Sequence, residues 1–341
     1  MKIFDADAHW IETETELMKR LGYDRTRVMP RDGWDRTLNG KFKEFIPTIE
    51  DRIQFMKTNN IASAVIHPTR CLSLGMIAEE KMADTIADSF NEYTLEQIAK
   101  FPKGLLHPIA LAVPQNISHT IKKLDDYKKD GFIGVLLLPH GHDELLGDSK
   151  FDAFYEKCSE LELTVTVHPN SFGALGIKGF KKFSEVHCIS FPFELIRQFV
   201  SICLSGVLER FPKLKIAFLE ASAGWVPYWI NRLDEEYELR HEELTLQKRP
   251  SETLKEAGFY VSCNGFEPEL QIVNDLIGGG VIWQSDYPHW DHVNINSVFD
   301  IKNQLSSELT NKILWDNSVS CYNLQNLTKG EFYDSTSSRL L

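Results

Sequence analysis

The sequence predicts an α/β fold, a single (β/α)8 TIM barrel over residues 1–341, on three observations. Strand-like apolar runs alternate with helical stretches from the first residues to the last hundred, and eight such units can be counted. No convincing linker divides them. Polar residues that suit a chemical site collect at the ends of the strand-like runs, which is where such a barrel gathers its functional groups.

The first run begins at Ile3-Phe4, and strand alternation places Asp5, Asp7 and His9 on one side with Ala6 and Ala8 on the other. Residues 11–50 are polar and punctuated by Pro30, Gly33, Gly40 and Pro47. They read as an insertion or a lid, which Trp34, Phe42 and Phe45 could fold over another part of the chain. Ile49 to Met56 has helical spacing and feeds the strand Ile61–Ile66, which ends at His67-Pro68. Residues 76–99 read as one long helical stretch, or as two helices with an interruption near Phe90-Asn91.

Leu105 to Val113 is the third strand run, and Ile117, Ile121, Leu124 and Tyr127 then recur at helical spacing up to Asp130-Gly131, a good helix exit. Phe132–Leu138 is continuously apolar, as suits a strand covered on both faces. Residues 151–161 are helical and lead to the strand Leu163–His168, and residues 169–190 read as a second, glycine-containing insertion. A helix from Phe193 to Leu208 precedes the strand Leu214–Glu220. Trp225, Trp229, Leu233, Glu236 and Tyr237 lie on a long amphipathic helix, and with the polar stretch beyond it they form an insertion after strand six. Phe259–Cys263, a helix around Glu267 to Ile277, the strand Gly280–Asp286 and terminal helices complete the chain.

With 37 basic and 49 acidic side chains the net charge is -12, which argues against unassisted binding to nucleic acid or anionic lipid. The six cysteines occur singly and read as reduced, packed thiols of a cytoplasmic protein. The N-terminus enters a strand without a basic segment and apolar core, so a secretory signal is not expected. No apolar run reaches the length of a membrane span.

In a barrel the C-terminal strand ends converge, which brings Asp7, His9, His67, His168, Glu220 and Asp286 together. Carboxylate oxygens and neutral imidazole nitrogens suit a divalent metal, and Asp7, His9, His168 and Asp286 supply four donors from strand ends one, five and eight. Taken alone, each residue reads equally as a hydrogen-bonded structural group. Their coincidence on one barrel face favours the metal.

In this order, Asp5-Ala6-Asp7-Ala8-His9, Val167-His168-Pro169, Arg210-Phe211-Pro212-Lys213-Leu214, Ser285-Asp286-Tyr287-Pro288-His289 and Ile313-Leu314-Trp315-Asp316-Asn317 give the chain a resemblance to the amidohydrolase superfamily. The branch is amidohydrolase-2, which includes aminocarboxymuconate-semialdehyde decarboxylase and related aromatic acid decarboxylases. The resemblance implies Asp7, His9, His168 and Asp286 around one cation, with Asp7 standing where the superfamily's first-strand motif has histidine. That extra anionic ligand makes Mn or Fe as credible as Zn. Strand four lacks the lysine of binuclear relatives, and strand six ends in Glu220 where they carry histidine, so a mononuclear site is implied.

His289, held near the metal by its spacing from Asp286, is the candidate proton donor, with Glu220 as a relay, an orienting group or a structural partner. Arg70, His67 and His140 are candidate substrate contacts; His142 reads as a loop residue, and Glu12 as support for a ligand histidine or the entrance. The leading reading is metal-dependent decarboxylation of a small aromatic or unsaturated carboxylic acid. Hydrolysis of an amide, ester or lactone at the same centre competes with it, and a non-catalytic binding barrel is the third reading. A small-molecule substrate is the expected partner. A homodimer is implied by the family alone, and no organic cofactor is indicated.

Overall fold

The computed structural model describes residues 1–12, 20, 46–170, 177–290, 292 and 296–327. The expected lid residues Trp34, Phe42 and Phe45 lie outside them. Eight parallel strands form one sheet in chain order: β1 (Ile3–His9), β2 (Ile61–His67), β3 (Leu106–Leu111), β4 (Gly134–Leu137), β5 (Thr164–Val167), β6 (Lys215–Phe218), β7 (Gly258–Cys263) and β8 (Val281–Trp283). The first and last edges meet just past β8. There the Asp286 N–H donates to the Asp7 carbonyl (2.9 Å) and the His9 N–H to the Tyr287 carbonyl (2.8 Å). The result is the nearly closed (β/α)8 barrel that the alternation predicts.

Helices cover the outside of the barrel, so nearly every strand residue is buried; β4 accordingly runs apolar without alternation, while β1 and β5 interleave polar with apolar residues. Helix α1 (Ile49–Thr58) starts at a reciprocal cap. The Asp51 N–H donates to Thr48 Oγ1 (3.1 Å) and the Thr48 N–H to Asp51 Oδ2 (3.0 Å), an arrangement that contributes about 1 kcal/mol. Helix α2 (Glu80–Ile98) runs unbroken through Phe90-Asn91, as one helix rather than two. Asn91 explains the continuity, because its side chain reaches inward. Its Oδ1 accepts from the Leu111 N–H (2.7 Å) and its Nδ2 donates to Tyr127 Oη (3.0 Å), tying α2 to β3 and to α3 (Ile117–Asp130).

Helix α3 ends at Gly131, whose φ of 96° is the left-handed conformation that glycine adopts without a Cβ penalty. At the start of β4, a Cβ on Gly134 would lie 2.4 Å from the Thr164 carbonyl oxygen, so only glycine lets β4 and β5 approach. After α4 (Asp152–Glu160) and β5, helix α5 runs from Phe183 to Leu204 with Pro192 inside it. The sequence placed that start at Phe193, one residue after Pro192, which lacks an amide donor yet lies inside the helix. The helix begins ten residues earlier. The remaining helices include α6 (Val226–Arg240) and α7 (Leu270–Leu276). No helix among the described residues is long and apolar enough to cross a membrane.

The N-terminal mouth of the barrel is plugged. Phe4 stacks on His107 (centroids 6.0 Å) and Tyr322 (6.2 Å) and meets the edge of Trp315 (5.9 Å), while Tyr322 Oη donates to the Ala6 carbonyl (3.0 Å). Segments from the chain's far end therefore seal the bottom under β1. The polar cluster sits at the opposite, C-terminal face.

Candidate metal centre

Strand β1 presents Asp7 and His9 two residues apart, so both side chains project to the same side. The other groups stand just beyond their strands: His168 one residue past β5, Glu220 two past β6 and Asp286 three past β8. The sequence drew these strands through the polar residues. In the fold they end sooner, and a short continuation carries each side chain over the barrel axis. His9 Nε2 lies 3.4 Å from Asp7 Oδ1 and 3.1 Å from Asp286 Oδ1, and His168 Nε2 lies 3.3 Å from Asp7 Oδ2. All four side chains are buried.

The ring nitrogens are sorted by their outer contacts. His9 Nδ1 lies 2.7 Å from the Pro68 carbonyl and His168 Nδ1 lies 2.7 Å from the Pro169 carbonyl. A carbonyl only accepts, so each Nδ1 carries a proton and each Nε2 is free to offer a lone pair inward. The inward atoms Asp7 Oδ1 and Oδ2, His9 Nε2, His168 Nε2 and Asp286 Oδ1 have no well-formed hydrogen bond. Buried polar atoms in that state are costly, and a divalent ion among them would satisfy all of them. Two donor triads result, Asp7/His9/His168 and His9/Asp286/His289, each with its ligand atoms within 4.8 Å of one another. They share His9. The residues present therefore fit a divalent cation, and His289 lies beside the four donors expected from the sequence.

The electrostatics reflect the same crowding. Burial favours the neutral form of Asp7, but His168, His67 and His9 around it hold its carboxyl well below the usual carboxylate range. Burial likewise opposes charge on His168, yet Glu220 and Asp7 outweigh it and push the imidazole up to about 9. His289 is raised well above its ordinary value against burial by Asp286 and then Glu220. His9 is pushed down to about 4, first by burial and then by His289 beside it. Glu220 is pushed up to about 8 by burial, with His168 opposing and Asp286 adding to the rise.

Glu220 and Asp286 have left-handed backbones, with φ of 62° and 60°. For non-glycine residues this costs about 1–3 kcal/mol each and persists only where the surroundings enforce it. At Glu220 the enforcement comes from the neighbouring strands, because its N–H faces both Ser262 Oγ (2.9 Å) and Gln284 Oε1 (3.1 Å). Its carboxylate is thereby aimed at His168 Nε2 (3.2 Å) and His289 Nδ1 (3.8 Å).

His289 Nδ1 lies 2.6 Å from Asp286 Oδ1, and its Nε2 lies 2.8 Å from Thr69 Oγ1. The turn carrying Thr69 is fixed by buried Glu12, whose carboxylate accepts from the Thr69 (3.1 Å) and Cys71 (2.6 Å) N–H groups. Glu12 thus fixes the turn against which His289 rests. Arg70 lies between those two amides, partly exposed, and its charge is felt at Glu12. His67 is fully buried behind Asp7, with Nδ1 2.8 Å from Asp7 Oδ1 and Nε2 3.3 Å from Thr166 Oγ1. His142 braces its own loop through the Leu138 (3.0 Å) and Glu144 (2.6 Å) carbonyls. His140 differs from both. It is buried near His168 with the Leu72 backbone within its reach, and neither ring nitrogen makes a well-formed hydrogen bond.

Sequence reasoning left two buried residues without roles. Arg52 of α1 donates to the His9 carbonyl and lies over the rings of Trp10 (4.8 Å) and Tyr287 (5.4 Å). Its helical position gave no sign of this. Asp5 lies against Ser285; strand alternation grouped it with Asp7 and His9, but the β1 register shifts between Asp5 and Ala8.

The amidohydrolase family model, of the amidohydrolase-2 branch, matches residues 4–324 of the chain. Among solved structures, an amidohydrolase from Mycobacterium avium subsp. paratuberculosis K-10 is 17% identical with a TM-score of 0.76, covering 94% of this chain and 99% of its own. A 5-carboxyvanillate decarboxylase from Novosphingobium aromaticivorans, complexed with manganese and 4-hydroxy-3-methoxy-5-nitrobenzoic acid, is 17% identical with a TM-score of 0.76 over 94% of this chain and 96% of its own. A dihydroxybenzoic acid decarboxylase from Polaromonas sp. JS666, with bound manganese and 2-nitroresorcinol, is 18% identical with a TM-score of 0.73 over 96% and 98%. At such identities the likeness is one of fold.

Proposed function

The chain belongs to the amidohydrolase family, whose members include metal-dependent enzymes, and from that premise we propose that it catalyses non-oxidative decarboxylation of a small aromatic or unsaturated carboxylic acid. The observation that carries this reading is the convergence of buried, inward-facing Asp7, His9, His168 and Asp286 beside His289 and Glu220. The aromatic acid decarboxylases that share the fold, and the manganese named with them, support both the reaction class and the metal.

Asp7, His9, His168 and Asp286 would hold one divalent ion, with manganese favoured over iron and zinc because two of the four donors are carboxylates. Bound there, the ion would supply Lewis-acid polarisation of the substrate carboxylate or an adjacent oxygen. His67, whose Nδ1 lies against Asp7 Oδ1, is our candidate for positioning that ligand as well as for a substrate contact. His140 retains the substrate role, since a buried imidazole with no well-formed hydrogen bond can both donate to and accept from a ligand hydroxyl or carbonyl. Arg70, on the turn between the Thr69 and Cys71 amides that Glu12 holds, remains our candidate for a substrate carboxylate.

In the reaction the bond between the substrate carbon and its carboxylate breaks, its electron pair stays on the carbon, and CO₂ leaves. That carbon must then receive a proton. His289 is the group held protonated by its neighbours, with Thr69 fixing one nitrogen and Asp286 facing the other. Glu220, pushed up to about 8, is a second proton store within reach of His289.

Hydrolysis of an amide, ester or lactone is the competing reading, favoured by one feature: Asp286, held ionised by His289 and His9, could accept a proton from water. The two are separated by assaying manganese-loaded protein for CO₂ release from hydroxylated benzoates and unsaturated acids, beside turnover of neutral amides and lactones. CO₂ release without hydrolysis supports the proposal. Hydrolysis without CO₂ release overturns it.

A further inference from the structure

Asp5 is a buried carboxylate that neither the metal site nor the proton-transfer groups use, yet it is bonded to the segment that carries Asp286. Its Oδ1 accepts from the Ser285 N–H (2.8 Å) and more weakly from the Asp7 N–H (3.3 Å), and its Oδ2 accepts from the Ser285 hydroxyl. The Ser285 Oγ in turn accepts from the Tyr287 N–H (3.0 Å). Ser285 and Tyr287 flank Asp286 on both sides, and Asp286 is the residue with φ of 60°. The Asp286 N–H closes onto the Asp7 carbonyl (2.9 Å), and the Tyr287 carbonyl accepts from the His9 N–H (2.8 Å).

From this pattern we propose that Asp5 is a positioning residue of the metal centre: through Ser285 it holds Asp286 in its left-handed conformation and so sets the Asp286 carboxylate against His9. The inference rests on the metal-site reading above. Extended backbone is the ordinary alternative for an aspartate, and it would carry the carboxylate away from His9 Nε2, now 3.1 Å distant. The Ser285 hydroxyl has one proton and spends it on Asp5, which leaves its lone pairs facing the Tyr287 N–H. Replacing the carboxylate with an amide takes away the acceptor of the Ser285 hydroxyl proton, so the serine is held less firmly against the Tyr287 N–H. The hold on the chain at Asp286 is weakened in this way, although the hydrogen bonds of Asp5 run to Ser285 and Asp7 and not to Asp286 itself.

The test uses the Asp5→Asn and Ser285→Ala proteins beside the parent, stripped of metal and titrated with Mn²⁺ by calorimetry. Each variant is expected to bind Mn²⁺ at least tenfold more weakly, and Asp5→Asn added to Asp286→Asn is expected to weaken binding no further than Asp286→Asn alone. A purely structural Asp5 would lower the melting temperature of the metal-free protein but leave Mn²⁺ affinity intact. That result, or fully additive losses, overturns the proposal. If the parent itself binds no Mn²⁺, the metal-site reading fails, and the crystal structure of Asp5→Asn decides this inference separately. An Asp286 φ still near its parent value refutes it, and a shift to extended backbone supports it. Ser285→Ala serves the same purpose if Asp5→Asn does not fold.

Discussion

His168 Nε2 lies 3.3 Å from Asp7 Oδ2 and 3.2 Å from Glu220 Oε2, so one imidazole nitrogen bridges carboxylates from the first and sixth strands. Without an ion this arrangement holds a proton, because the two carboxylates push His168 up to about 9. With an ion it must release that proton before Nε2 can coordinate.

Mn²⁺ uptake is therefore expected to liberate about one proton near pH 7, and apparent affinity to rise about tenfold per pH unit up to roughly pH 9. Calorimetry in buffers of different ionisation enthalpy measures the released proton directly. No proton release, with affinity flat over pH 6–8, would show that His168 is already neutral.

His289→Asn should lower kcat by about 10²- to 10⁴-fold, the usual contribution of a positioned acid, while the protein retains its metal. Parallel assays of turnover and metal content check this. Loss of metal together with activity would make His289 a ligand instead, as its place in the second donor triad allows.

His140→Phe should raise KM about tenfold at nearly constant kcat, because the lost contact is one made equally in the ground and transition states. Steady-state kinetics on the substrate found by the CO₂ screen decide it. An unchanged KM would leave His140 as packing.

His107 lies far from the metal centre, on the plugged side, where burial pushes it down to about 4 and Ser63 Oγ meets its Nε2 at 2.8 Å. The folded pKa lies below the unfolded value near 6.5, so its stabilising effect is complete above pH 6.5 and is lost as pH falls toward 4, by roughly 3 kcal/mol. His107→Phe should make urea stability less sensitive to acid over that window. Equal acid sensitivity in both proteins would place the titration elsewhere.

The fold was legible because parallel strands buried on both faces leave continuous apolar runs, as at Phe132–Leu138. The donors Asp7, His9, His168 and Asp286 were legible for a related reason: a barrel collects its strand ends, so residues remote in sequence can be paired on paper. What the sequence concealed depends on partners supplied by distant segments. Asp5 has meaning only beside Ser285, Glu12 only beneath the Thr69 turn, and His67 only once Asp7 is seen to lie against it. The left-handed backbones of Glu220 and Asp286 were invisible too, since neither is glycine and both are enforced by neighbouring strands. The start of α5 was misplaced at Phe193, ten residues inside a helix that continues through Pro192.

The central claim is that one divalent ion is held by Asp7, His9, His168 and Asp286. Elemental analysis of protein purified without added metal, beside His168→Ala prepared identically, tests it most directly. The account predicts about one equivalent of manganese, iron or zinc per chain in the parent and a sharp loss in the variant. No metal in the parent, with none taken up on reconstitution, would contradict it.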